Sequence, residues 1–412
     1  MEFSKKISEK LGLDTGYFAN NGFWVSLRYL TATILGIATG MVFSRFVEKE
    51  VYGNYQLILS FVATVAFTSM PELNKAIWSS TTANKDGDLD TALNKKIKYS
   101  FIGSSILILL AIKYYIGGDT LMSLGILLAA AAYPLSSGGD IWSHFLDGKK
   151  EYKLSTKLSV LFSIFNKTIL IIAAFFYPVA AYVLIAANLL PVAITNFLGL
   201  KTAYKKKKNN DTDKDFPKYG WFLVKMGIVR DILLKIDNLI IGIFVGPAEL
   251  AVYSFASIIP DQVTSFISSL GSTTVPKIGE QKDADVKKKI REKSVLILLM
   301  GIALIGVTII LTPLVIQILF TDKYAESIRY SQIITASLIF YAFEVVYSKL
   351  FLVKKYTNAL IVTNTVIPIF RVVAIVTGFL MFGIVGIVWS NIITRLFNFI
   401  CYIYLSKTCK TQ

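Results

Sequence analysis

Ionisable side chains stand inside stretches of this chain that are otherwise apolar. Arg28, Lys167, Arg230, Asp231, Lys235, Asp237, Glu344, Arg371 and Arg395 all do so. A charge in bilayer hydrocarbon costs roughly 2.5–3.5 kcal/mol on insertion scales unless it faces protein or water. The spacing says which way they face. Asn391, Arg395 and Asn398 recur at i, i+4 and i+7, one face of a helix, and so do Asp231, Lys235 and Asn238. Arg230 and Asp237 are seven apart on an adjoining stripe, as are Asn364 and Arg371. These polar faces are expected to turn toward a shared interior. Arg28, Lys167, Arg230, Lys235, Arg371 and Arg395 outnumber Asp231, Asp237 and Glu344, so that interior is expected to be net cationic. The planar fork of Arg donates two parallel hydrogen bonds to phosphate oxygens, so the cations suit a phosphorylated ligand. The competing reading is that these charges pair among themselves and hold the fold together. For the 230–237 group, which carries both signs, the two readings stay level. Glu344 suits a proton or sodium site, or a partner for Arg371 or Arg395. Asp140 and His144, four apart, suit a proton relay or a solvated loop edge. His144 is the only histidine, which argues against a histidine-based metal site.

The elements that carry these residues are read from composition. Hydrophobic residues make up 54% of the 412, charged residues 17%, and the mean hydropathy is +0.58. A helix needs about 20 apolar residues to cross a bilayer, and only a helix satisfies its own backbone there. Such stretches lie at about 21–43, 55–70, 99–116, 121–137, 157–176, 179–199, 219–243, 250–270, 295–319, 329–349, 358–379 and 383–405. The fold class is therefore all-α, a polytopic membrane protein of about 12 transmembrane helices. The second stretch ends at Pro71, the fourth runs into Ser136–Asp140, and the eighth contains Pro260-Asp261.

The net charge of +16 suggests nucleic acid at first sight, but its distribution does not. Loops numbered alternately from the N-terminus place nearly every Lys and Arg on one side. The other side receives only Arg45, Lys49, Lys113, Lys323 and Arg329. Cytoplasmic loops keep Lys and Arg, so both termini are expected in the cytoplasm, and no nucleic-acid partner is implied. The run Lys205–Lys208 reads as an anionic-lipid or nucleic-acid patch, or as a stop-transfer anchor. No cleavable signal peptide is apparent in the first apolar run. Ahead of it, Phe3, Ile7 and Leu11 recur every four residues, with Lys5, Lys6 and Lys10 between them, which suits a surface helix. Cys401 and Cys409, both at the C-terminal end, do not indicate a disulfide framework.

The chain reads as two related halves. Phe46-Val47 precedes Tyr55, with Gly53 two before the Tyr; Phe244-Val245 precedes Tyr253 at the same spacing, with Ala251 two before it. Lys149-Lys150 and Lys354-Lys355 each precede the fifth span of a half at nearly the same offset. Residues 1–200 and 219–412 would then be six-helix bundles, joined by a cytoplasmic linker at 201–218. An even span count keeps orientation, so the halves would be parallel repeats about an axis along the membrane normal, enclosing a central path.

The stretches Ser44-Arg45-Phe46 to Tyr52-Gly53-Asn54-Tyr55, and Lys235–Gly242 leading to Tyr253, resemble elements of the Wzx-type O-antigen flippases. These belong to the multidrug/oligosaccharidyl-lipid/polysaccharide exporter superfamily, and length and span layout also fit. The resemblance implies a transporter that moves an undecaprenyl-pyrophosphate-linked sugar repeat unit across the bacterial inner membrane. It implies a role in O-antigen, lipopolysaccharide or other polysaccharide biosynthesis, with membrane lipids and the polymerase machinery as partners. The six cations above would line the substrate cavity. No P-loop, G-x-S-x-G element or metal-ligand cluster is present, so no cofactor and no enzymatic activity are expected. The rivals are a multidrug exporter of the same superfamily, for which an acidic cavity is expected, and a membrane-embedded polysaccharide polymerase or ligase. The latter usually carries a long outside loop, for which the predicted outside loops leave no room. A purely structural membrane protein fits poorly with so many central charges.

Overall fold

The computed structural model describes residues 15–272, 283–353 and 356–408. The surface helix expected over Phe3–Leu11, the Lys354-Lys355 marker and Cys409 lie outside the described residues. Within them every regular element is helical. Ten helices are long and apolar enough to cross a membrane. The other two expected spans are accounted for. The eleventh and twelfth run on as one helical stretch, kinked at Gly383, and the seventh is broken in the middle. Large apolar side chains stand in the open along these helices, Leu109 at 68%, Ile310 at 76% and Leu380 at 77% exposure. Water would penalise such bands; lipid does not. The chain is an all-α polytopic membrane protein.

Packing divides the chain into two compact units. The first takes the residues up to Phe46 and Val65–Lys225; the second takes Val47–Thr64 and Met226 onward. In this division the second span groups with the second unit, and the seventh span is divided, its residues up to Lys225 going with the first unit.

In the first unit, α1 (Thr15–Phe46) packs on α7 (Tyr152–Phe176). Helix α2 (Lys49–Val65) ends at this unit's border and is followed by the short α3 (Leu73–Thr82). Helix α4 (Asp88–Ile116) packs on α5 (Thr120–Gly138), and α5 on α8 (Ala181–Lys206); α6 (Trp142–Gly148) lies beside α3. Asp119 caps α5 by accepting from the Met122 N–H at 3.0 Å. The 201–218 segment is not a loose tether. The Lys149 ammonium lies 2.9 Å from both oxygens of buried Asp86, which also accepts the Lys208 N–H at 2.8 Å. Lys207 pairs with Asp90 at 2.6 Å and Lys206 with Glu151 at 2.9 Å. The Gly87 N–H donates to the Asp211 carbonyl at 2.9 Å. Three lysines of the 205–208 run are thus held by acids of this unit, Lys206 and Lys207 through their ammonium groups and Lys208 through its backbone N–H.

In the second unit, α9 (Phe216–Ile232, from Met226 on) leads to α10 (Ile236–Ile240), and then come α11 (Pro247–Ser272) and α12 (Asp283–Phe320). Next come α13 (Glu326–Ser337), α14 (Tyr341–Val353), α15 (Thr357–Ile361) and α16 (Ile367–Thr408). Helix α2 enters against α11 so closely that a Cβ on Gly53 would sit 1.7 Å from the Pro247 carbonyl oxygen. Only glycine fits there. The Tyr52 ring meets Phe255 at 4.8 Å, and Phe255 meets Tyr324 at 4.0 Å. In the connection before α13, the Lys323 ammonium donates to the Val47 carbonyl at 2.7 Å; burial lowers its pKa from the usual lysine value. Gly383 turns α16 back on itself at φ 60°, a backbone region that L side chains seldom adopt.

Candidate functional site

The site is built on two interruptions. The seventh span stops at Ile232 and restarts at Ile236. Its sequence, Arg230-Asp231-Ile232-Leu233-Leu234-Lys235-Ile236-Asp237, puts four charges in eight residues, too many for a lipid-facing helix. Irregular backbone at such depth survives only where protein or a cavity covers its polar groups. Here the freed Leu234 carbonyl accepts from Arg371 Nη1 at 3.1 Å. A second irregularity, a π-helical turn over Val362–Val366, carries Thr363 and Asn364. Turns of this kind often mark functional places in helices.

Three guanidinium–carboxylate pairs result. Arg371 Nη2 donates to Asp237 Oδ2 at 3.0 Å, and the Tyr253 hydroxyl donates to the same oxygen at 2.7 Å. Arg395 Nη1 donates to Glu344 Oε2 at 2.9 Å and its guanidinium lies 4.6 Å above the centre of the Tyr341 ring. Arg230 pairs with its neighbour Asp231 at 2.8 Å and reaches Asn364 Oδ1 at 3.2 Å. Glu344 therefore answers Arg395 and not Arg371, whose acid comes from the broken span.

These groups surround a cavity of about 630 Å³ inside the second unit. Arg230, Lys235, Arg371 and Arg395 line it, with Asp237, Asp261, Asn238, Asn391 and Asn398. Four of the six expected cations meet in one place. Arg28 and Lys167 do not: both belong to the first unit. Sequence reasoning missed Asp261, although the Pro260-Asp261 pair inside the eighth span was the signal for it. It also missed Tyr341, and Tyr52 and Gln56, which α2 contributes. The expected net cationic interior changes accordingly. In the second unit four cations face Asp231, Asp237, Asp261 and Glu344, so formal charges balance.

The first unit spends its central charges differently. Arg28 Nη1 and Nη2 donate to both oxygens of Asp147 at 3.1 and 3.2 Å, and Nη2 also reaches Ser155 at 2.8 Å. Lys96, fully buried, pairs with Asp140 at 3.0 Å, and Asn74 donates to Asp140 at 2.8 Å. His144 stands between the two acids on the same stretch, its Nδ1 3.3 Å from Ser143 Oγ. Asp140 is thus an ion-pair partner rather than a bare loop-edge acid. Lys167 has no ion-pair partner among the described residues.

The sequence profile of the family described as "Polysaccharide biosynthesis protein" matches residues 42–329. Comparison with curated protein sequences returns no significant match. The fold is shared with solved membrane transporters. An inward-facing multidrug resistance MATE family transporter of the MOP superfamily superposes with a TM-score of 0.71 at 14% identity, covering 91% of this chain and 94% of the other. A MOP superfamily transporter from Pyrococcus furiosus, described as having a binding pocket of reverse polarity, gives 0.67 at 13% identity, with 95% of each chain covered. The Lipid II flippase MurJ, in an inward closed conformation, gives 0.59 at 17% identity, covering 93% of this chain and 87% of that one.

Proposed function

From the premise that this chain belongs to the polysaccharide biosynthesis protein family, we propose that it is a flippase for lipid-linked glycans. It carries a polyprenyl-pyrophosphate-linked repeat unit, of the O-antigen or another surface polysaccharide, across the bacterial inner membrane. Both termini lie in the cytoplasm. The observation that carries this reading is the cavity of the second unit. A space of about 630 Å³ inside an otherwise apolar helical body, walled by paired charges, amides and hydroxyls, suits a hydrophilic cargo. The prenyl chain stays in lipid, and the cavity opens to each side of the membrane in turn. Arg230, Lys235, Arg371 and Arg395 are the substrate-facing cations, and Asp237 and Glu344 hold two of them in place. The protein works as a transporter and not as an enzyme; a polymerase acts on its product. The described connections after the first, third and fifth spans run only from Phe46 to Lys49, Ile116 to Thr120 and Phe176 to Ala181, which leaves no room for a large outside catalytic loop.

Deletion of the gene tests this. Lipid-linked repeat units are expected to accumulate in the inner membrane while surface polysaccharide disappears, and the intact chain restores it. Normal surface polysaccharide in the deletion strain, with heightened drug sensitivity, would favour a drug exporter instead.

A further inference from the structure

Several buried oxygens of the second unit meet no donor from the protein. Five of them are Asp237 Oδ1, Asn398 Oδ1, Ser254 Oγ, Thr394 Oγ1 and Glu344 Oε1; Tyr324 Oη, Ser331 Oγ and Thr335 Oγ1 are others, and these three do not line the cavity. The first four residues line the cavity, and Glu344 stands behind it, paired to Arg395. Asp237, Thr394, Asn398 and Glu344 are each more than nine-tenths buried, at 7%, 6%, 8% and 4% exposure. Buried polar atoms almost always find a partner, so an unpartnered group facing one cavity needs an explanation. Asp237 Oδ1, Asn398 Oδ1 and Glu344 Oε1 can only accept, while the Ser254 and Thr394 hydroxyls can both donate and accept. The set calls for a ligand bearing several O–H or N–H groups.

The cavity's charges narrow the class further. Arg371 and Arg395 are already held by Asp237 and Glu344. A pyrophosphate bound here would add two or more negative charges, beside Asp237 and Asp261, to a site whose four cations are already balanced by four acids. A bare metal cation would suit the oxygens. It would, however, stand next to two guanidinium groups on the same carboxylates, and like charges at that range repel strongly inside a protein. Sugar hydroxyls meet neither difficulty. They donate to Asp237 Oδ1 and Asn398 Oδ1, they exchange hydrogen bonds with Ser254 and Thr394, and every ion pair stays intact.

We propose that this cavity receives the glycan end of the substrate and reads its hydroxyls through Asp237, Ser254, Thr394 and Asn398, while the pyrophosphate lies outside it. The inference rests on the flippase reading above and divides the substrate's two polar parts.

The test uses the purified full chain in lipid nanodiscs. Two probes are titrated: polyprenyl-pyrophosphate-linked glycan extracted from cells that make the protein, and the same polyprenyl pyrophosphate without glycan. The glycan-bearing lipid is expected to bind at least tenfold more tightly. Thr394→Val and Asn398→Leu, both close in size to the native residues, should each weaken it about fivefold, the worth of one typical hydrogen bond. Binding of the bare lipid should not change. Ser254→Ala serves as a third variant if either of those fails to fold. Equal binding of the two lipids, or equal weakening of both by the variants, would overturn the glycan assignment and leave the flippase reading standing. A sodium requirement for binding that Thr394→Val abolishes would overturn it in favour of a cation site. Binding of neither lipid to the intact chain would reject both the assignment and the flippase reading.

Discussion

Arg28 in the first unit and Arg395 in the second begin from the same difficulty, a guanidinium on an apolar helix, and are answered differently. Arg28 gives two hydrogen bonds to Asp147 and two more to Ser155 and Thr156. Arg395 gives one to Glu344, lies over Tyr341 and faces a cavity. Both acids come from far along the chain. The difference is in what the rest of the fork does. In the first unit it ties α1 to α6 and α7; in the second it is left at a wall where something else can meet it. A central charge in a membrane protein is therefore no sign of a site until its partners are counted.

The comparison predicts that charge changes in the first unit cost stability and those in the second cost transport. The largest effect is expected at Lys149→Met. It strands Asp86, which has no exposure, without its ammonium and should destabilise the first unit by about 3–5 kcal/mol. Chemical unfolding in detergent reads this, and a loss under 1 kcal/mol would break the comparison on the structural side.

Next in size is Arg395→Ala. Surface polysaccharide should fall about tenfold or more at matched protein level, because a hydrogen bond to a charged group is worth about 1.5–3 kcal/mol. Arg395→Lys should keep part of the activity, since it retains charge but neither the fork nor the flat face over Tyr341. The exchange Arg395→Glu with Glu344→Arg should not restore transport. Full rescue would make this pair structural, like that of Arg28.

Arg28→Lys should lower stability by about 1–2 kcal/mol with transport per molecule unchanged, because an ammonium cannot span Asp147, Ser155 and Thr156 as the fork does. Transport loss beyond the loss of folded protein would put Arg28 back among the substrate contacts. The smallest effect is expected at Lys206→Ala. Its pair with Glu151 has both side chains about 40% exposed, at 41% and 40%, and should contribute under about 1 kcal/mol. A larger cost would mean that the 201–218 segment is held more by this pair than by Asp86.

The spans were legible in the sequence because apolar length is a direct demand of the bilayer. The break at 233–235 was half legible: its charges were visible, and the interruption they enforce was not drawn from them. Four of the six cations, Arg230, Lys235, Arg371 and Arg395, line one cavity, on the polar faces that their helical spacing had marked. Arg28 and Lys167 belong to the first unit, and spacing along a helix says which face is polar and not which neighbour it meets. The acid for Arg28, 119 residues away in sequence, was beyond any rule of one helical turn, whereas Glu344 was one of the partners the sequence offered to Arg395. Asp261 was noted beside Pro260 in the eighth span, and its place in the cavity wall was not drawn from that.

The central claim is that the chain moves a lipid-linked glycan and that the second unit's cavity is where the cargo sits. Reconstituted vesicles test it most directly. The full chain is placed in liposomes holding polyprenyl-pyrophosphate-linked glycan in the inner leaflet, and arrival outside is read with an external glycan-cleaving enzyme. The account predicts rapid exposure with the native chain, exposure about tenfold slower with Arg395→Ala, and native speed with folded Arg28→Lys. Exposure no faster than in protein-free liposomes, or equal rates for the native chain and Arg395→Ala, would contradict it.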